Sequence, residues 1–99
     1  MEHTYELINN AEGKQFQFKL KDGIAKIEYI LAQEKIYLTH TEVPTAYEGK
    51  GIGSSLIKQT LEHIKEQDLT LVPLCPFVAM YIKRNPEWKA LVLKGINIG

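Results

Sequence analysis

The sequence predicts a mixed α/β domain of the α+β class, in which an antiparallel meander of strands precedes alternating helices and strands. In the first half of the chain, apolar residues alternate with polar ones, which is the period of a half-buried strand. From Ile52 onward, apolar residues recur at helical spacing, as on the buried face of an amphipathic helix. Glycine and proline separate these segments. A chain of 99 residues is expected to form one domain, residues 1–99, with a single small core.

The predicted meander runs from Thr4 to Val43 and contains four strands. They are "TYELI", "KQFQFKLK", "IAKIEYIL" and "IYLTHTEV". A turn from Asn9 to Gly13 is expected after the first strand, and Asp22-Gly23 is a strong hairpin signal after the second. Simple alternation along the fourth strand predicts that His40 shares a face with Ile36, Leu38 and Glu42.

The second half of the chain is predicted to alternate between helices and strands. An amphipathic helix begins after the glycines and continues to Ile64, and "LTLVPL" follows it as a buried strand. "FVAMYIKR" predicts a short second helix, which Pro76 begins and Asn85-Pro86 ends. "WKALVL" is predicted to be a last strand, so the expected order is β-β-β-β-α-β-α-β.

Composition excludes several classes of protein. The chain has 12 basic and 12 acidic residues, whereas general nucleic-acid binders usually carry a basic surplus. A single cysteine, Cys75, allows no internal disulfide and fits a reducing compartment. There is no apolar run of membrane-spanning length, no signal-peptide pattern and no metal-ligand spacing. We therefore expect a cytoplasmic protein, monomeric or weakly dimeric, without a nucleic-acid, membrane or metal partner.

Three glycines in "YEGKGIGSS" raise a functional question, because glycine is a poor helix former and a helix begins there. Gly49, Gly51 and Gly53 could simply shape a turn. Alternatively, they could let an anion approach the backbone N–H groups at the start of the helix. The spacing matches neither the P-loop nor the dinucleotide fingerprint, so the glycines alone leave both interpretations open.

The wider segment "HTEVPTAYEGKGIGSSLIKQTLEHI" resembles the coenzyme A site of the GNAT superfamily of acetyl-CoA-dependent N-acetyltransferases. That pattern is Gln or Arg, two residues, Gly, one residue, then Gly or Ala, and Gly51 and Gly53 match it. The chain is most similar to a subgroup of very small, stand-alone acetyltransferases. Their marks are the block from His40 to Pro44 and a cysteine at the end of the next strand, here Cys75. The resemblance covers about residues 36 to 88.

The resemblance implies the acyl-CoA N-acyltransferase fold, acetyl-CoA as donor, no metal, and an amine acceptor that the sequence does not identify. It implies that the strand before the glycine turn and the strand after the following helix splay apart at their ends. Pantetheine is implied to pair with the backbone of the first of these strands, at Thr41, Glu42 and Val43. The pyrophosphate is implied to bind the N–H groups of the glycine turn, which comprises Glu48, Gly49, Lys50, Gly51, Ile52, Gly53 and Ser54. Lys83 and Arg84 are candidates for a nucleotide phosphate of CoA, although basic residues also suit a helix C-terminus.

Three side chains are candidates for catalysis. Cys75, expected at a helix N-cap that favours the thiolate, is a nucleophile or thiol acid, or else a small buried hydrophobe. His40 suits a general base at neutral pH, or is a surface histidine, and Glu42 could serve instead. By the resemblance, Tyr81 would donate a proton to the CoA thiolate; otherwise it packs its helix onto the sheet.

Two departures from the superfamily pattern keep other functions open. Glu48 stands where the pattern has Gln or Arg, so its charge cannot aid anion binding. The two helices that normally wall the acceptor site are reduced to the turn around residues 10–14. The alternatives to an N-acetyltransferase are therefore a non-catalytic acyl-CoA-binding or regulatory module on the same fold, and a plain interaction domain.

Overall fold

A computed structural model describes residues 5–96 and confirms the predicted fold class, with five strands in one mixed sheet and two α-helices. The elements are β1 (Ile8–Asn10), β2 (Gln15–Leu20), β3 (Gly23–Ala32), β4 (Lys35–Glu42), α1 (Ile52–Glu66), β5 (Thr70–Pro73) and α2 (Pro76–Arg84), with 3₁₀ turns at Thr45–Tyr47 and Pro86–Leu91. The strands lie in chain order. Neighbours among β1 to β4 are antiparallel, and β4 and β5 are parallel.

The predicted helical face of α1 is confirmed and forms part of the core. Its apolar stripe is buried against β2, β3 and β4. The fully buried residues opposite it include Phe16 and Phe18 of β2 and Ile27 of β3. Because parallel neighbours need a crossover connection, α1 both joins β4 to β5 and covers the sheet. Its first turn therefore lies where β4 ends.

The first predicted strand was wrong in position. Strand β1 begins at Ile8 and continues to Asn10, where the turn was expected, and Thr4 lies outside the described residues. The preceding segment instead contacts the rest of the domain through Tyr5 and Leu7, which pack against the core. The side-chain amide of Gln59 donates to the Tyr5 carbonyl at 3.1 Å, which ties this segment to α1.

The last predicted strand was also wrong. Residues Pro86–Leu91 form a 3₁₀ helix, and only one bridge, between Leu71 and Val92, extends the sheet there. Proline has a fixed φ and no N–H, so the segment starts as a turn. Trp88 and Leu91, three residues apart, then pack against the core, which is the spacing of a 3₁₀ helix. Within residues 5–96, neither helix is long and apolar enough to cross a membrane.

Candidate active site

Strands β4 and β5 separate before β4 ends. Their pairing stops at Leu38 and Pro73, whereas β4 continues to Glu42. Immediately beyond, the N–H groups of Leu74 and Cys75 both donate to the Leu38 carbonyl, at 3.0 and 2.9 Å. Residues 40–42 of β4 therefore pair with β3 on one side only, and their other edge faces the opening between the two strands.

A β-bulge in β4 lies at the same level and corrects the prediction for His40. Glu28 opposes His40, and Tyr29 opposes Leu38, so Thr39 is an extra residue on β4. An extra residue reverses the alternation of side chains beyond it. Thr41 therefore opposes buried Ile27 and faces the core. His40 points to the face of Glu28, away from Ile36 and Leu38.

The glycine turn exposes the backbone at the start of α1. Gly51 is the N-cap residue with a φ of 78°, and Gly49 has a φ of 77°, a region that side chains disfavour. A Cβ on Gly51 would meet no atom within 4 Å, so the turn is open on that side. No side chain caps α1 and its first turn has no acidic residue. Its first N–H groups therefore remain available to an anion.

Gly53 is favoured for a different reason. A Cβ there would lie 3.2 Å from Cζ of Phe77 and 3.5 Å from Cγ2 of Val43. The start of α1, the end of β4 and the start of α2 thus meet at this residue. Close packing, rather than an unusual φ, is what favours glycine here.

Two cavities adjoin in this region, and we call them together the α1–α2 groove. The first, about 480 Å³, lies at the glycine turn and the second, about 640 Å³, lies along α2. Thr41, Ser54 and Phe77 line both. The first is also lined by Glu42, Val43, Tyr47, Glu48, Gly49, Gly51, Ile52 and Gly53, and the second by His40, Cys75, Pro76, Met80, Tyr81, Arg84 and Asn85.

Cys75 lies at the N-cap of α2, as predicted, and lines the groove. Only 4% of the residue is exposed. Its thiol donates to the hydroxyl of Thr41 at 3.3 Å. Pro76 follows as the first residue of the helix. Cys75 is thus both buried and directed at the strand edge where β4 loses its β5 partner.

Tyr81 lies further along α2 and lines the second cavity. Burial raises the pKa of its phenol, and the negative charges of Glu87 and Glu62 raise it further, while a hydrogen bond involving Trp88 lowers it. The phenol therefore keeps its proton at neutral pH and can donate it.

A charged cluster lies on the face of the sheet to which His40 points. His40 Nε2 is 3.8 Å from a carboxylate oxygen of Glu42. The Lys26 ammonium lies 3.2 Å from Glu28 and 4.0 Å from Glu42. Because His40 also lines the second cavity, this cluster borders the opening between β4 and β5.

Most of the predicted site residues lie in the groove, but two do not line it. Lys83 is exposed at the end of α2, and Lys50 Nζ instead lies 5.9 Å from the ring centroid of Tyr47. Among residues 5–96, no group of His, Cys, Asp and Glu could hold a metal ion.

Sequence reasoning missed several lining residues, namely Tyr47, Pro76, Phe77, Met80 and Asn85. For the residues on α2, helical spacing indicates which of them line the groove. Val78 and Ile82 form the buried side of this helix, so Phe77, Met80, Tyr81 and Arg84 share another face.

The domain that carries this groove is a GCN5-related N-acetyltransferase domain. The model of that family matches residues 15–91, and the chain belongs to the family. Protein NATD1 from Gallus gallus is 41% identical over 85 residues, covering 82% of this chain and 76% of that protein. Protein NATD1 from Homo sapiens is 41% identical over 77 residues, covering 74% of this chain and 67% of that protein.

A solved structure has the same fold. It is the NMR solution structure of a GCN5-like protein from Staphylococcus aureus, with a TM-score of 0.71 and 23% identity. The superposition covers 94% of this chain and 91% of that one.

Proposed function

We propose that this protein is an N-acetyltransferase that moves the acetyl group of acetyl-CoA to an amine. One observation carries the proposal: a single groove joins the unpaired edge of β4 to the open N-terminus of α1. The unpaired edge of β4 suits an extended chain that contains amides, and the open N-terminus of α1 suits a pyrophosphate. Acetyl-CoA contains both parts in the matching order.

The residues of the groove fit that donor. The backbone of Thr41, Glu42 and Val43 would pair with pantetheine, and the N–H groups from Glu48 to Ser54 would hold the pyrophosphate. Gly51 supports this assignment, because a Cβ there would project into open space beside the turn. Arg84 lines the second cavity, which is the thioester end of the proposed donor rather than the end that carries its nucleotide phosphates.

Acetyl-CoA would supply a thioester whose carbonyl carbon an amine can attack. The reaction also needs a base for the amine and a proton for the leaving thiolate. Tyr81 is the proposed proton donor, because its raised pKa keeps it protonated. His40, beside Glu42 at the mouth of the groove, is the proposed base. The acceptor is an amine of a small molecule, a peptide N-terminus or a lysine side chain.

Ligand-induced stabilisation tests donor binding. Acetyl-CoA at about 100 times Kd should stabilise the fold by about 2.7 kcal/mol, which raises Tm on the order of 10 °C in a domain of this size. Thermal denaturation with and without acetyl-CoA measures this, and free acetate is the control ligand. No shift at millimolar acetyl-CoA would refute the proposed donor.

Turnover then separates the enzyme from a non-catalytic acyl-CoA-binding module on the same fold. Glu48 favours the non-catalytic module, because it places a negative charge beside the proposed pyrophosphate site. Release of free CoA, followed with a panel of amines, supports the enzyme. Donor binding without release for any amine supports the module. We propose the cytoplasm as the compartment, consistent with a free Cys75.

As an alternative to direct attack by the amine on acetyl-CoA, Cys75 is proposed to accept the acetyl group first. Its thiol lines the groove at a helix N-cap. The acetyl group would pass from the CoA sulfur to Sγ, and the thiol proton would pass to the departing CoA thiolate. The amine would then attack the acetyl carbonyl on Sγ, and Sγ would leave and regain a proton from the amine. Mass spectrometry of the protein mixed with acetyl-CoA alone should show one added acetyl group, absent in Cys75→Ser. Full activity in Cys75→Ala would show that transfer is direct.

A further inference from the structure

Phe77 occupies an unusual position for an aromatic residue. It lies in the first turn of α2 and 51% of it is exposed. Part of its ring nevertheless packs closely, because a Cβ on Gly53 would lie 3.2 Å from Cζ and 3.4 Å from Cε1. Val43 borders the same point. Part of the ring therefore lies close to Gly53 in the first turn of α1, where Val43 is also close, while the rest of it faces outward.

Phe77 is also where the two cavities meet. Of the three residues that line both, Thr41 and Ser54 are polar, and the Thr41 hydroxyl accepts a hydrogen bond from Cys75. Phe77 supplies the apolar part of the shared wall. Any chain that reaches from the glycine turn to Cys75 must pass beside this ring.

We propose that Phe77 is a donor-binding residue that holds the pantetheine arm against the unpaired edge of β4. This inference rests on the proposed function. The arm carries methyl groups beside its amides, so an aromatic face gives it apolar contact while the β4 backbone pairs with its polar groups. Gly53 is part of the same contact, since a Cβ there would press on the ring at 3.2 Å.

The test compares two ligands by titration calorimetry in the intact protein. Phe77→Ala should weaken acetyl-CoA about tenfold, as truncation of a well-placed aromatic contact does. The affinity of Phe77→Ala for adenosine 3′,5′-bisphosphate, which lacks the pantetheine arm, should change less than about twofold. Phe77→Leu, which keeps an apolar side chain, should fall between. Leu74→Ala is the matched control, because Leu74 is 59% exposed on the preceding segment and lines neither cavity.

A second measurement tests whether Gly53 acts through the ring. Gly53→Ala should weaken acetyl-CoA in the wild-type background and much less in Phe77→Ala, because contacting residues are not additive. If Gly53→Ala lowers acetyl-CoA affinity equally in both backgrounds, the role of Phe77 is overturned. It is also overturned if Phe77→Ala lowers the affinities for acetyl-CoA and for the bisphosphate equally. A wild-type protein that binds no acetyl-CoA would instead overturn the proposed function.

Discussion

Replacing Gly51 with alanine is expected to weaken acetyl-CoA binding by about tenfold, or ~1.4 kcal/mol. The proposed pyrophosphate site consists of backbone N–H groups, and the glycine turn is open where a Cβ would project. A methyl group would hold the phosphates away from these donors. Glu48→Ala should not weaken binding, because it removes a negative charge from beside the proposed pyrophosphate site. Titration calorimetry with acetyl-CoA measures both variants.

Backbone strain must be separated from the loss of binding. Alanine at a φ of 78° is strained, at a cost of roughly 1–2 kcal/mol. Gly95→Ala provides the control, because Gly95 has a φ of +95° with no atom near its Cβ and lines neither cavity. It should lower Tm comparably and leave acetyl-CoA affinity unchanged. If Glu48→Ala proved more harmful than Gly51→Ala, the glycines would be ordinary turn residues.

Replacing Tyr81 with phenylalanine is expected to lower kcat by about 10² or more, the usual contribution of a positioned general acid. Acetyl-CoA affinity should change little, because the ring remains. Steady-state kinetics with any acceptor that supports turnover measures both. Tyr29→Phe is the control: Tyr29 is likewise buried with a raised pKa, but its hydroxyl donates to Asn9, away from the groove. A full kcat in Tyr81→Phe would exclude the phenol as the proton donor.

The pKa of Tyr81 gives this role a pH signature. Burial and the charges of Glu87 and Glu62 raise it above 10.0, its ordinary value, so the phenol stays protonated up to that pH. Loss of the proton at higher pH would end donation and form the alkaline limb of the rate profile. Glu87→Gln removes one of the charges that raise the pKa and should move that limb to lower pH. Phenolate absorbance, compared between wild type and Tyr81→Phe, follows the ionisation directly.

Local sequence signals identified the elements that carry the site. The glycines, the apolar stripe of α1 and Pro76 each act within a few residues, through backbone conformation, helical period and capping. They therefore predicted where α1 and α2 begin, and with them Gly51 and Cys75. The resemblance to the superfamily added the site itself, since no local rule assigns a ligand to a glycine turn.

The errors arose where packing overrides a local pattern. "WKALVL" has an apolar content that suits a strand, yet Trp88 and Leu91 reach the core from a 3₁₀ helix. Simple alternation placed His40 beside Leu38, but the extra residue Thr39 turned it to the opposite face. A bulge depends on how two strands pair, and the sequence of one strand does not reveal it.

The sequence by itself determined the class of fold, the order of its central elements and the open backbone at the start of α1. Each follows from residue types that act on their own neighbours. Only the tertiary structure decided that β4 continues beyond the point where its pairing with β5 ends, and that the Cys75 thiol donates to Thr41. It also decided that Phe77 lines both cavities. Those features bring together residues distant in the chain, and the packing of α1 and α2 on the sheet fixes them.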